Sequence, residues 1–201
     1  MDRHDHDEFL VLTKRPENVR AMVPEDWLRP GAWPRHIRIG ATAGTRKSAA
    51  ERLPHLLEGP WPNFVSAEPL LEPVDFGAWM PICPVCRRRP GTCDHLHPGQ
   101  PRGIDWLIVG GESGPKARPC DLAWVRQVVA ACKAAQVPVF VKQLGAAASD
   151  ERNGLAGRSL KVPPDAVELV SQRLKHKKGG DLAEWPQDLR DVREFPEVRC
   201  G

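Results

Sequence analysis

Five short apolar runs, each ending in polar residues, constrain this chain more than any other feature of its sequence. They are Phe9 to Thr13, His36 to Ala41, Asn63 to Glu68, Asp105 to Gly111 and Pro138 to Gln143. Strands buried on both faces read as continuous Val/Ile/Leu runs, and Trp106-Leu107-Ile108-Val109 is one. Helical patterns separate several of the runs. Pro16 and Glu17 open a helical turn that carries Val19, Met22 and Val23 until Pro24 intervenes. Residues 48–57 place Ala49, Leu53, Leu56 and Leu57 at helical spacing, and Gly59-Pro60 ends that stretch. Asp121 is suited to cap a helix whose apolar face is Leu122, Val125, Val128, Val129 and Cys132. Strands alternating with helices predict an α/β fold with a parallel sheet and right-handed crossovers, either opened out or closed as a barrel.

If the strands are parallel, their polar ends gather on one rim, where α/β proteins bind ligands. The first run ends in Thr13-Lys14-Arg15, the second in Ala41-Thr42 and the third in Ser66-Ala67-Glu68. The fourth ends in Gly111-Glu112-Ser113 and the fifth in Lys142-Gln143. A single polar strand end marks only the arrival of the chain at water, but five in succession favour a ligand-facing rim. The candidate catalytic residues are therefore Lys14, Glu68, Glu112 and Lys142, with Arg15, Ser113 and Gln143 as polar contacts to a substrate.

The regular alternation breaks over residues 78–103, which read as an insert rich in Cys and His. Cys83 and Cys86 have the spacing of a metal knuckle, and Cys93, His95 and His97 follow within a few residues. Three of these cysteines and one of the two histidines suit a closed tetrahedral zinc site, which would be structural rather than catalytic. The segment contains Pro84, Pro90, Pro98 and Pro101 and few apolar side chains, so a metal would supply the order that a core does not. The alternative is an exposed loop with incidental thiols. Organisation along the chain is then a polar start at 1–8, the sheet region at 9–145 containing the insert, and a tail at 146–201 with one possible helix over 165–174.

The net charge of +3 is too mild to argue for nucleic acid by itself, although Arg87 to Arg89 and Arg173 to Lys178 are basic clusters. No apolar stretch approaches the roughly 20 residues of a membrane span, and the opening MDRHDHDE does not resemble a signal peptide. A cytoplasmic location without a membrane partner is expected.

Four long motifs carry a resemblance: FLVLTKRPENVRAM, NFVSAEPLLEPVDF, IDWLIVGGESGPKARPCDLAWVRQVVAACKAAQVPVFVKQLG and GGDLAEWPQDLRDVREFP. They resemble the phage-associated gene-product thirty-seven/sixty-eight family, a family of unknown function whose members are similar to radical SAM enzymes. The resemblance implies a TIM-barrel-like fold. For full-length members it implies a three-cysteine motif that holds a [4Fe-4S] cluster beside S-adenosylmethionine. This chain has no cysteine before Cys83, so neither cofactor is expected here. Eight βα units take about 250 residues, whereas the five runs occupy residues 9–143. The expectation is a partial TIM-barrel-like sheet of about five βα units, truncated and inactive as a radical SAM enzyme alone, with the missing N-terminal barrel part as a candidate partner chain. Two further readings stand beside it. One is a zinc-containing module that binds nucleic acid or protein through the insert and Arg87 to Arg89. The other is a cluster-independent barrel enzyme with Glu112 as general base and Lys142 as electrostatic stabiliser.

Overall fold

The computed structural model describes residues 8–80, 102–150 and 174–196. Its centre is a five-stranded sheet in which β1 (Phe9–Thr13), β2 (Ile37–Thr42), β3 (Asn63–Ala67), β4 (Leu107–Gly110) and β6 (Val139–Gln143) lie side by side in the order β1-β2-β3-β4-β6. Every neighbouring pair is parallel. The short β5 (Cys120–Asp121) and β7 (Ala148–Ser149) pair with each other in a separate parallel ribbon. Each new strand of the main sheet is added on the same side as the one before it. That one-directional winding is the order of a barrel wall, but among the described residues the sheet is open, not closed. Residues 81–101 of the insert and 165–173 of the possible helix lie outside the described residues, and with them Cys83, Cys86, Cys93, His95, His97 and Arg87 to Arg89.

The chain between β1 and β2 forms the short helix α1 (Val19–Met22) flanked by 3-10 turns, shorter than the sequence pattern suggests. Helix α2 (Arg46–Leu57) connects β2 to β3. Its start is fixed by Thr45, whose hydroxyl accepts from the Ser48 N–H while the Ser48 hydroxyl accepts from the Thr45 N–H. This reciprocal cap moves the helix start two residues ahead of the expected Ser48. Helix α3 (Leu122–Ala134) follows β5 and leads to β6, and Asp121 caps it by accepting from the Ala123 N–H at 2.8 Å. The expected apolar face, Leu122, Val125, Val128, Val129 and Cys132, is buried. A four-residue helix, α4 (Gln187–Arg190), lies in the tail.

Alternation along the strands separates two faces. Ile39, Ala41, Val65, Ala67, Leu107, Val109, Val139 and Val141 join Leu53, Leu56, Val125 and Val128 of the helices in one buried core. The opposite face carries Arg38, Phe64, Ser66, Trp106, Phe140 and Lys142. Its amino-terminal half is filled by aromatic rings, with Trp106 centred 6.0 Å from Phe64, 6.5 Å from Phe140 and 5.6 Å from Phe195 of the tail. Gly40 has no side chain because the Phe64 ring lies over it. Arg38, buried on this face, pairs with Glu8.

Over its described part the tail packs against the sheet. Trp185, Leu189 and Val192 are buried, and Arg193 bridges Phe140 in antiparallel fashion. Arg126 of α3 makes a bidentate contact with the buried Asp150, at 2.9 and 2.8 Å, and reaches Asp188 of α4 at 2.6 Å. Two open sheet edges are expected for a barrel fragment, and the tail removes one of them. The two-residue strands β5 and β7 were not legible as strands in the sequence.

Candidate functional site

All five strands point the same way, so their carboxyl ends share one rim as anticipated. Which of the rim residues meet is decided by strand order. Glu68 follows β3 and Lys142 lies in β6, with β4 between them. Their side chains cross that middle strand, placing Lys142 Nζ 3.3 Å from Glu68 Oε2. The crossing passes over Gly110. A Cβ there would stand 2.9 Å from Glu68 Oε1 and 2.9 Å from the Gln143 carbonyl oxygen, closer than real Cβ contacts allow. Gly110 is therefore the gap through which the acid of one strand reaches the base of another. The Glu68 side chain is 15% exposed and that of Lys142 58%, so the carboxylate forms the floor of the pair and the ammonium its accessible top.

Gly111 has a different reason to lack a side chain: the backbone of Leu144 and Gly145 occupies the space beside it. Glu112, next in line, is turned to another task. Its two oxygens take the Arg118 guanidinium at 2.9 and 2.8 Å, and one of them also accepts from the Arg118 N–H at 2.8 Å. These donors hold the Glu112 carboxyl down at about 2, well below its usual range. A carboxylate so strongly stabilised is a poor proton acceptor near neutral pH and a good clamp for the loop that follows β4. Arg118 had no apparent role in the sequence. The signal that could have found it is Gly114-Pro115, a turn residue pair that folds the chain back within six residues of Glu112. Gly114 has φ 107°, and Ala117 closes the turn by donating to the Gly114 carbonyl.

The remaining expected residues are spread along the rim. Gln143 donates from Nε2 to the Gly111 carbonyl at 3.0 Å, so it ties β6 to β4. Ser113, Lys14 and Arg15 are exposed, the last two at the end of β1, two strands away from β3. The backbone N–H of Arg15 donates to the Thr13 hydroxyl. The rim is further laced by Leu70, which donates to the Gly110 carbonyl, and by Leu71, which donates to that of Gly44.

Cys120 and Cys132 are buried, and loss of solvation pushes each thiol up to about 12. Among the described residues no group of three or more His, Cys, Asp or Glu side chains is arranged to hold a metal ion. No described helix is long and apolar enough to cross a membrane.

Fold and rim together define a class: a singly wound parallel α/β sheet with helices on one face and an ion pair spanning its carboxyl end. The chain belongs to the family described as "Protein of unknown function (DUF5131)", whose model matches residues 1–188. No curated protein and no solved structure matches it.

Proposed function

We propose that this chain is part of a radical-SAM-like barrel and that it takes up an anionic ligand on its carboxyl rim at the Glu68–Lys142 pair. The observation that carries the reading is the 3.3 Å contact between Lys142 Nζ and Glu68 Oε2 across Gly110. In this reading Lys142 supplies a positive charge to the ligand from its exposed end. Glu68 fixes the orientation of that ammonium from below and is the carboxylate available for proton transfer, because Glu112 is committed to Arg118. The aromatic layer of Phe64, Trp106 and Phe140 closes the amino-terminal half of the same face, so a ligand reaches the pair from the carboxyl side. The one-directional strand order supports the barrel part of the reading. S-adenosylmethionine and a [4Fe-4S] cluster belong to the wider resemblance, and no step is assigned to them here. A structural zinc ion in the 78–103 insert is part of the same proposal; metal analysis should find about one zinc per chain, lost on Cys83→Ser.

The test of the rim is a thermal-shift and calorimetric comparison of the wild-type protein with Lys142→Ala, Glu68→Gln and Gly110→Ala. Each protein is titrated with ATP, pyrophosphate and citrate. At least one of these anions should raise the wild-type Tm, and all three substitutions should abolish or strongly weaken that response while circular dichroism stays native. Gly110→Ala keeps both charges, but its added methyl presses on the Gln143 carbonyl as well as on Glu68 Oε1, so its result is read together with those of the other two variants. An anion response that survives all three substitutions would overturn the assignment.

A further inference from the structure

The tail places a second basic element beside the same rim. Residues 175–178 read Lys-His-Lys-Lys, and the backbone that follows them docks onto the end of β6. The Leu144 N–H donates to the Gly179 carbonyl at 2.9 Å, and the Gly145 N–H donates to the Lys178 carbonyl at 3.1 Å. Lys178 is thus seated against the residue three positions beyond Lys142.

The loop has its own internal lock. His176 Nδ1 accepts from the Gly180 N–H at 2.9 Å and from the Lys178 N–H at 3.3 Å, while its carbonyl accepts from the Gly179 N–H. One oxygen of Glu184 accepts from the N–H groups of Lys175 and His176 at 2.8 and 3.1 Å. The indole of the buried Trp185 donates to the Gly179 carbonyl at 2.9 Å. Gly179 takes φ 62°, a conformation that L side chains rarely adopt. Three kinds of partner hold the backbone, and the side chains of Lys177 and Lys178 are left exposed.

A run of lysines is usually a solvated surface, mobile and indifferent to its neighbours. This run differs in two respects. Its backbone is fixed against the strand end, which lowers the ordering cost of engaging a ligand. The carboxylates around it are also already engaged: Glu184 caps the loop's own N–H groups, Glu112 holds Arg118, and Glu68 meets Lys142. Over residues 175–184 three lysines stand against two carboxylates, Asp181 and Glu184, so the loop itself brings a net charge of +1 to the rim with His176 neutral.

We propose that Lys177 and Lys178 form, together with Lys142, a docking edge for phosphate, so that the ligand of the Glu68–Lys142 site is a phosphate-bearing molecule. The inference rests on the reading of that pair as a ligand site and narrows its substrate class. Lysine ammoniums act on phosphate as compact point charges, and several together suit a multiply charged anion better than a single carboxylate. The phosphate could be that of a small ligand or of a nucleic-acid strand, and the two sources separate experimentally.

The full-length chain is titrated with pyrophosphate by calorimetry and with a fluorescein-labelled single-stranded DNA by anisotropy, each at low and at physiological salt. The proteins are the wild type, Lys177→Glu/Lys178→Glu, the milder Lys177→Gln/Lys178→Gln, and Lys142→Ala. The wild type should bind pyrophosphate, and both double variants and Lys142→Ala should weaken it by about tenfold, equivalent to about 1.4 kcal/mol. Binding of the DNA alone, with a steep salt dependence and the same loss in the variants, assigns the phosphate to a nucleic-acid backbone. Loss in the double variants with Lys142→Ala unaffected would leave the loop as a phosphate site and remove the Glu68–Lys142 reading. Loss in Lys142→Ala with both double variants unaffected would keep the pair and overturn the loop. A wild-type protein that binds neither probe overturns the phosphate assignment outright.

Discussion

The two edges of the sheet carry strands of similar apolar character into opposite surroundings. At β6, the Val141 N–H donates to the Val192 carbonyl, the Glu194 N–H donates to the Val139 carbonyl, and a Glu194 carboxylate oxygen accepts from the Val139 N–H. The tail supplies the polar partners that a further strand would otherwise supply. At β1, Phe9, Leu10, Val11 and Leu12 are 49%, 45%, 48% and 51% exposed, and the outer side of the strand has no strand partner among the described residues. Four consecutive apolar residues are the signature of a strand covered on both faces. An edge strand bordering water ordinarily carries charges, Pro or a bulge instead. The difference teaches that apolar composition alone does not fix a strand's surroundings, and that the cover at β6 is built from an irregular segment far along the chain.

The largest effect should come from detaching the cover on the β6 side. Arg126→Leu removes the guanidinium that joins α3 to Asp150 and α4, and with it the bidentate contact to the buried Asp150. Breaking one partner of a buried ion pair costs about 3–5 kcal/mol, measurable as a lower urea midpoint. A loss below about 1 kcal/mol would show that the tail is held by its apolar contacts and its hydrogen bonds to β6 without need of Arg126.

A smaller effect on folding but a visible one on association is expected at the other edge. The wild-type protein should self-associate as its concentration rises, because β1 offers unpaired backbone groups and apolar side chains. Val11→Lys should suppress that association in sedimentation velocity while changing stability by no more than about 0.5 kcal/mol. A wild-type chain that stays monomeric at high concentration would remove the contrast between the edges.

The smallest effect lies on the rim between them. The folded-state pKa of Glu112 is about 2, below its ordinary value of 4.5, so the group favours the folded state when ionised. Its contribution is fully present above about pH 4.5 and is lost as the pH falls toward 2. Arg118→Ala should lower Tm slightly at neutral pH, and the gap to wild type should close on acidification. A gap that stays constant with pH would mean that the Arg118 side chain acts through packing.

The strand positions were legible because an apolar run of four or five residues has few other places to go in a chain of this composition. Their ends moved by one or two residues, as at Ile37–Thr42, because pairing and not apolarity decides where a ladder stops. Glu68 and Lys142 were both legible as rim residues, but their meeting was not. It depends on a strand order that puts β4 between them and on the missing side chain of Gly110. The partner of Glu112 was illegible for a local reason, since a carboxylate at a strand end looks the same whether it faces a ligand or an arginine six residues on. The cover over β6 was illegible because residues 192–194 are polar or isolated in sequence and acquire their role only by reaching back across some fifty residues to β6.

The hydrogen bond from the Ile104 N–H to the Trp79 carbonyl, at 3.0 Å, brings the chain on either side of residues 81–101 back to one place. Asn63 strengthens that junction by exchanging hydrogen bonds with the backbone and side chain of Asp105. The two ends of the interval are thereby joined to each other and to the sheet. Loop-closure entropy changes only by about 0.6 kcal/mol for each doubling of length. With the two ends already held together, a change in the length of the interval alters the entropy of closure only slightly.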